Sequence, residues 1–232
     1  MRADVIHGDC LDVMRTLAPG SVDAVLTDPP YMVGAISVGD SGAKAGTWAD
    51  MENSAFWFAE WMRRAQRGLK ATGWLVTFCN WRSIPTMIRA LSLCGLPASS
   101  CMVWDKQWIG PAGIQQLRPR YELVMFAAMP EAEIVNRSQP DMEAEKWMAG
   151  NMKVSDHPAE KPVALLRRLV CLVTPPGGVV VDPFCGSGSV GVASTLEGRE
   201  FLGIEREAEW REVARRRIAE AQAQTTLDLD VA

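Results

Sequence analysis

Thirteen consecutive residues constrain this chain more than any others: Val179-Val180-Val181-Asp182-Pro183-Phe184-Cys185-Gly186-Ser187-Gly188-Ser189-Val190-Gly191. The valine run reads as a buried strand, and the glycines after it let the backbone turn tightly into a helix. Gly186, Gly188 and Gly191 fit the G-x-G-x-x-G spacing, and Glu205 ends the next apolar segment 23 positions after Asp182. Strand, glycine turn, helix, strand and acid in that order build a nucleoside-binding α/β unit, whose acid accepts ribose hydroxyls. A turn that only packs shares this spacing, which also does not choose among nucleoside cofactors. An acid ahead of the glycines suits a cationic ligand better than a pyrophosphate.

The remaining sequence extends that unit into one layered domain. Short apolar runs at Asp4–Ile6, Ala24–Thr27, Trp74–Cys79, Ser100–Trp104, Leu123–Ala127, Val179–Val181 and Phe201–Ile204 read as strands. Helices are expected between them. Asn53 or Ser54 caps one with the apolar face Phe58, Trp61, Met62, Ala65, Leu69, and another begins near Ala159. A third follows Gly188, and the last turns Trp210, Val213, Ala214 and Ile218 inward, with Arg211 and Arg215–Arg217 mostly outward. Residues 1–232 therefore read as a single α/β domain with helices on both faces of its sheet. Residues 32–52, rich in Gly, Ser and Ala, read as a long mobile loop, and 130–156 as a short polar insertion.

Composition excludes several classes. A net charge of −4 leaves no general basic footprint, so any nucleic-acid contact must come from local cations. No stretch approaches the roughly 20 apolar residues of a membrane span, and no apolar segment follows Met1-Arg2-Ala3-Asp4 as a signal peptide would require. Six scattered cysteines without a C-x-x-C pair and only two histidines give no metal-ligating pattern, and point to a reduced, cytoplasmic protein.

The second anchor is Asp28-Pro29-Pro30-Tyr31, at the carboxyl end of an expected strand, where open α/β sheets bind ligands. A carboxylate and a proline-fixed carbonyl present two acceptors to an amino group, and the tyrosine ring can stack on a flat base. Together with Asp182–Gly188, these residues resemble the amino-group-specific DNA methyltransferases that use S-adenosylmethionine. The tetrapeptide precedes the cofactor turn by about 150 residues, a circularly permuted order that resembles the beta subgroup. That subgroup includes the cell-cycle-regulated and many phage and restriction-associated adenine enzymes. His7–Leu11, Ser21–Val25, Arg118–Glu122 and His157–Pro162 resemble further motifs of the subgroup.

The resemblance implies a Rossmann-like, mostly parallel sheet with one antiparallel hairpin strand. It implies transfer of a methyl group to N6 of adenine by Asp28, Pro29, Pro30 and Tyr31, on a base flipped out of the duplex. It places Asp9 and Cys10 at the cofactor's adenine and Glu205 at its ribose, with Arg206 alongside. Asp182, Phe184, Gly186, Ser187 and Gly188 lie under the methionine part, with Asp28, Lys161 and His157 near it. Double-stranded DNA is the expected partner, contacted by Lys44, Lys106, Arg118 and Arg120, with Trp48 and Trp108 as wedges or dimer contacts. Residues 130–156 correspond to the target-recognition segment, and a homodimer is expected in a bacterial or phage-encoded protein. Two alternatives stay open. An N4-cytosine enzyme uses the same scaffold, although Ser is commoner there at the position of Asp28; a NAD-type oxidoreductase explains the glycine turn but not the tetrapeptide.

Overall fold

A computed structural model of the protein describes residues 2–30, 48–110, 114–115, 117–147 and 160–230, without the side chains of 48–53 and 226–230. The strands are β1 (Ala3–His7), β2 (Val22–Thr27), β3 (Leu69–Cys79), β4 (Ala98–Asp105), β5 (Tyr121–Ala128), β6 (Met142–Ala144), β7 (Val179–Asp182) and β8 (Glu200–Glu205). The helices are α1 (Cys10–Met14), α2 (Trp48–Gly68), α3 (Ile84–Cys94), α4 (Val163–Val173), α5 (Ser189–Leu196) and α6 (Ala208–Asp230). All eight strands join one sheet in the order β1-β8-β7-β2-β3-β5-β4-β6. Every pairing is parallel except those of β5, which runs antiparallel to both β3 and β4. A mostly parallel, Rossmann-like sheet with a single reversed hairpin strand is what the sequence led us to expect.

Side-chain alternation divides the interior into two layers. Ala24, Leu26, Val76, Phe78 and Val180 face α4, α5 and α6. Val25, Leu75, Cys79, Val181 and Ile204 face α1, α2 and α3. Strands buried on both sides read as continuous apolar runs, which is why all seven expected strands are present. The elements that had no such run were not anticipated: α1, α3 and the three-residue edge strand β6.

Three boundaries differ from expectation, each for a local reason. Helix α2 begins at Trp48, so residues 48–52 are helical rather than part of a loop. It ends at Gly68, and Leu69 leaves it to pair with Val22 at the start of β3. Helix α4 begins at Val163 because its N-cap, Pro162, is itself extended, with φ −60° and ψ 126°. The expected insertion is partly built into the fold. Its β6 pairs with β4, and Trp104 Nε1 donates to the Glu145 carbonyl at 2.7 Å. Residues 31–47, which hold Tyr31 and Lys44, and 148–159, which hold His157, lie outside the described residues.

The chain leaves β2 toward β3 and leaves β7 toward β8, while β2 and β7 are neighbours in the sheet. The connections diverge at this point and open a crevice at the strand ends, where Asp28 follows β2 and Asp182 closes β7.

Candidate active site

The crevice widens into a cavity of about 760 Å³, lined by residues from nine segments of the chain. Gly8, Asp9 and Cys10 stand on one side with Glu205 and Arg206, at the ends of β1 and β8. Asp28, Pro29 and Pro30 occupy the middle with Phe184 and Gly186. Lys106, Trp108, Glu122, Trp147 and Lys161 close the far side. The reversed strand β5 explains the last group: antiparallel pairing of Asp105 with Tyr121 brings the start of β5 to the edge where β4 ends.

The acids at the ends of β1 and β8 are fixed by backbone donors. Glu205 accepts from Gly186 N and Glu207 N, both at 2.8 Å. Asp9 caps α1 by accepting from Leu11 N at 2.7 Å. A carboxylate anchored to two amides keeps its orientation when a hydroxylated ligand arrives. Cys10 lies against this wall, its thiol pushed up to about 11 by burial and by the Asp9 charge. Cys185 is buried beneath the turn against Gly203, and burial raises its thiol well above the ordinary value, away from the thiolate form.

The glycine turn is shaped by packing as well as by ligand access. Gly188 has φ +81°, and a Cβ there would lie 2.8 Å from Ala214 Cβ. A Cβ on Gly191 would stand 2.4 Å from Ile218 Cδ1 and 2.7 Å from Phe201 Cε1. These glycines let α6 close on α5, while Gly186 and Phe184 line the cavity. Asp182, Ser187 and Cys185 instead line a smaller adjoining cavity, shared with Asp28, Glu160 and Lys161. Asp182 is buried; Thr27 Oγ1 donates to it at 2.6 Å and Phe184 N at 3.0 Å. Burial dominates, with help from the Asp28 and Glu205 charges, and raises its pKa to about 7.

The middle of the site is an alternating chain of charges. Lys161 donates to Asp28 Oδ2 and lies 3.4 Å from Glu122 Oε2, while Lys106 donates to Glu122 Oε1 at 3.4 Å. Burial pulls the Lys161 ammonium down, but the two carboxylates outweigh it and hold the group above the usual lysine range. For Glu122 the balance is similar: burial raises it, and the two lysines bring it below the ordinary value. The Lys161 ammonium also sits 5.1 Å from the centre of the Phe78 ring. Buried charges persist only when paired, and this row is paired throughout.

Several expected roles change here. Lys106 is 9% exposed and paired with Glu122 inside the cavity, whereas in sequence it reads as a surface cation. Arg120 is held by both oxygens of Asp105 at 2.8 Å, and Arg118 braces its loop by donating to the Gly110 and Ile109 carbonyls. The Trp108 ring lies 4.7 Å from that of Trp147, tilted by 41°, and Trp147 is a cavity-lining residue that no motif had indicated. Trp48 opens α2, and its side chain lies outside the described residues. Trp57, beside the expected core residue Phe58, is half-buried and lines the cavity 5.6 Å from Phe184. Glu122 lies within a motif quoted above but carried no role there.

An open sheet with its site at the β2–β7 divergence, carboxylates at four strand ends and a proline-fixed loop after β2, is a methyltransferase-like architecture. Comparison with known proteins agrees. A family model described as DNA methylase, for the N6 and N4 enzymes, matches residues 22–216, and the chain belongs to that family. The methylase YubD of Escherichia coli (strain K12) is 30% identical over 217 residues, 94% of this chain and 90% of that protein. The type II methyltransferase M2.DpnII of Streptococcus pneumoniae is 27% identical over 248 residues, 95% of this chain and 91% of that one. The crystal structure of the M1.HpyAVI–SAM complex superposes with a TM-score of 0.72 at 26% identity, covering 93% of this chain and 98% of that chain. Membership of the family sets the oxidoreductase alternative aside.

Proposed function

We propose that the protein transfers the methyl group of S-adenosylmethionine to the exocyclic N6 of adenine in double-stranded DNA. The observation that carries this reading is the meeting of Asp28 with Glu205 and Asp9 in one cavity, at the ends of β2, β8 and β1. The cofactor fits the residues present. Carboxylates suit its hydroxyls, amino group and cationic sulfonium, and the aromatic walls Trp57 and Phe184 suit its flat and apolar parts. Asp9 and the Cys10 segment take the adenine, Glu205 the ribose, and Phe184, Gly186 and Asp182 the methionine side. When bound, the cofactor supplies an electrophilic methyl group.

The chain's own residues then have one task at the base. Adenine's exocyclic nitrogen is a poor nucleophile because its lone pair is delocalised into the ring. Acceptance of its two N–H bonds by the Asp28 carboxylate and the Pro29 carbonyl favours a tetrahedral nitrogen with a localised lone pair. Lys161 holds Asp28 in place from behind, so the acceptor does not have to reorganise. Tyr31 stacks on the flipped base, and the Trp108–Trp147 pair lines the far wall of the space that receives it. The acid at position 28 favours adenine over cytosine as the target. The protein works as a homodimer in the bacterial cytoplasm, as a modification enzyme; among the described residues no helix is long and apolar enough to cross a membrane.

Transfer of labelled methyl groups from S-adenosylmethionine to duplex DNA tests the reading. Asp28→Asn is expected to lower the rate about 10²–10³-fold, since a preorganised charged acceptor is lost, while cofactor affinity stays within a few-fold. Wild-type turnover in that variant contradicts it.

A further inference from the structure

Arginine 217 sits on the helix α6, among charged residues that sequence patterning turns toward solvent, yet it is only 5% exposed. It falls on the inner stripe Ala214, Arg217, Ile218, Ala221, all of which are buried. Its Nη1 is 2.8 Å from the Ser187 carbonyl, 2.9 Å from Ser187 Oγ and 3.2 Å from Ser189 Oγ. Its Nη2 donates to Glu160 Oε1 at 2.9 Å, and that carboxylate is also buried. One guanidinium therefore grips the cofactor turn with one amino group and the segment before α4 with the other.

That segment reaches the catalytic carboxylate in a single residue. Glu160 and Lys161 are adjacent in the chain just before Pro162, and their side chains take different partners. Glu160 turns to Arg217 and Lys161 to Asp28. The small cavity between them is walled by Ser187, Glu160, Lys161 and Asp28 together.

We infer that Arg217 is a positioning residue for methyl transfer, which fixes the turn under the cofactor's methionine side and the Lys161–Asp28 pair relative to one another through Glu160. The inference rests on the function proposed above. A displacement of about 1 Å between reacting groups is enough to slow an aligned reaction roughly 10²-fold, and Arg217 ties the two sides together from the helix side, beside the Thr27–Asp182 hydrogen bond within the sheet. A purely structural buried arginine exists elsewhere for comparison. Arg199 is 7% exposed and donates to the Thr174 carbonyl at 2.8 Å, at the opposite edge of the sheet where β8 begins.

The test compares Arg217→Met, Arg217→Lys, Glu160→Gln and Arg199→Met, reading cofactor affinity by calorimetry, melting temperature, and the single-turnover rate at saturating cofactor. Arg217→Met is expected to lose at least about tenfold in that rate after correction for the folded fraction. Arg217→Lys should recover part of the loss, and Glu160→Gln should show a smaller loss than Arg217→Met. Arg199→Met should melt earlier but keep its rate within about twofold, as expected of an independent site. Wild-type rates at saturation in the Arg217 variants overturn the inference, as does a change in affinity alone. If Arg217→Met does not fold, Arg217→Lys and Glu160→Gln decide by the same reading. A wild-type protein that binds the cofactor but transfers nothing overturns the proposed function itself, and this inference with it.

Discussion

Lys161 and Asp28 are 133 positions apart in sequence, and the ammonium of one donates to the carboxylate of the other. Neither group is freely hydrated: Lys161 is 9% and Asp28 20% exposed at the side chain, and Glu122 on the other flank is 21% exposed. The lysine therefore sets both the position of the Asp28 carboxylate and the charge balance of the cavity.

Removal of that cation leaves two acids facing each other in a poorly hydrated place. Lys161→Met is expected to destabilise the protein by about 3 kcal/mol, near the lower end for breaking a buried pair. For a chain of this size that is roughly 6–12 °C in melting temperature. Scanning calorimetry checks it, and an unchanged melting temperature would show that the row of charges is not a unit. Asp28→Asn should melt within about 1 kcal/mol of wild type, because Lys161 keeps Glu122.

Asp182 predicts a proton linkage. Its carboxyl ionises near 3.8 in an unfolded chain and near 7 in the fold, with burial as the main cause. Between those values the unfolded state binds fewer protons, so this group's contribution to stability is present at low pH and declines as pH rises to about 7. A bound cation favours the ionised form. Cofactor binding near neutral pH should therefore release a proton, and affinity should rise as pH passes upward through about 7. Titration calorimetry in two buffers of different ionisation enthalpy measures the release. Asp182→Asn should abolish it, and equal release in both proteins would contradict this account.

The turn can be tested through packing alone. Gly191→Ala places a methyl 2.4 Å from Ile218 and 2.7 Å from Phe201, with rigid sheet on one side. A cost of about 1–3 kcal/mol is expected from overpacking, measured by denaturant unfolding with an unchanged slope. A neutral outcome would mean that α6 is not seated against the turn as described.

Much of this architecture was legible because its signals are local. Apolar runs such as Ala24–Thr27 and Val179–Val181 declare strands, and a glycine turn followed by an acid points to a nucleoside site. What stayed hidden depends on partners that only the fold supplies. Lys106 looks like a surface cation until β5 brings Glu122 beside it. Trp57 precedes the core residue Phe58 and reads as packing until Phe184 meets it at the cavity wall. Arg217 did carry a signal, its place on the stripe of Ala214, Ile218 and Ala221, but charge outweighed periodicity in the reading. The stripe was the better guide.

The identity of the modified base tests the central claim most directly. Duplex DNA incubated with the protein and S-adenosylmethionine, then digested to nucleosides and analysed by mass spectrometry, should contain N6-methyladenine. With Asp28→Asn it should accumulate about 10²–10³-fold more slowly. N4-methylcytosine as the sole product, or no modified nucleoside from a protein that binds the cofactor, would contradict the account.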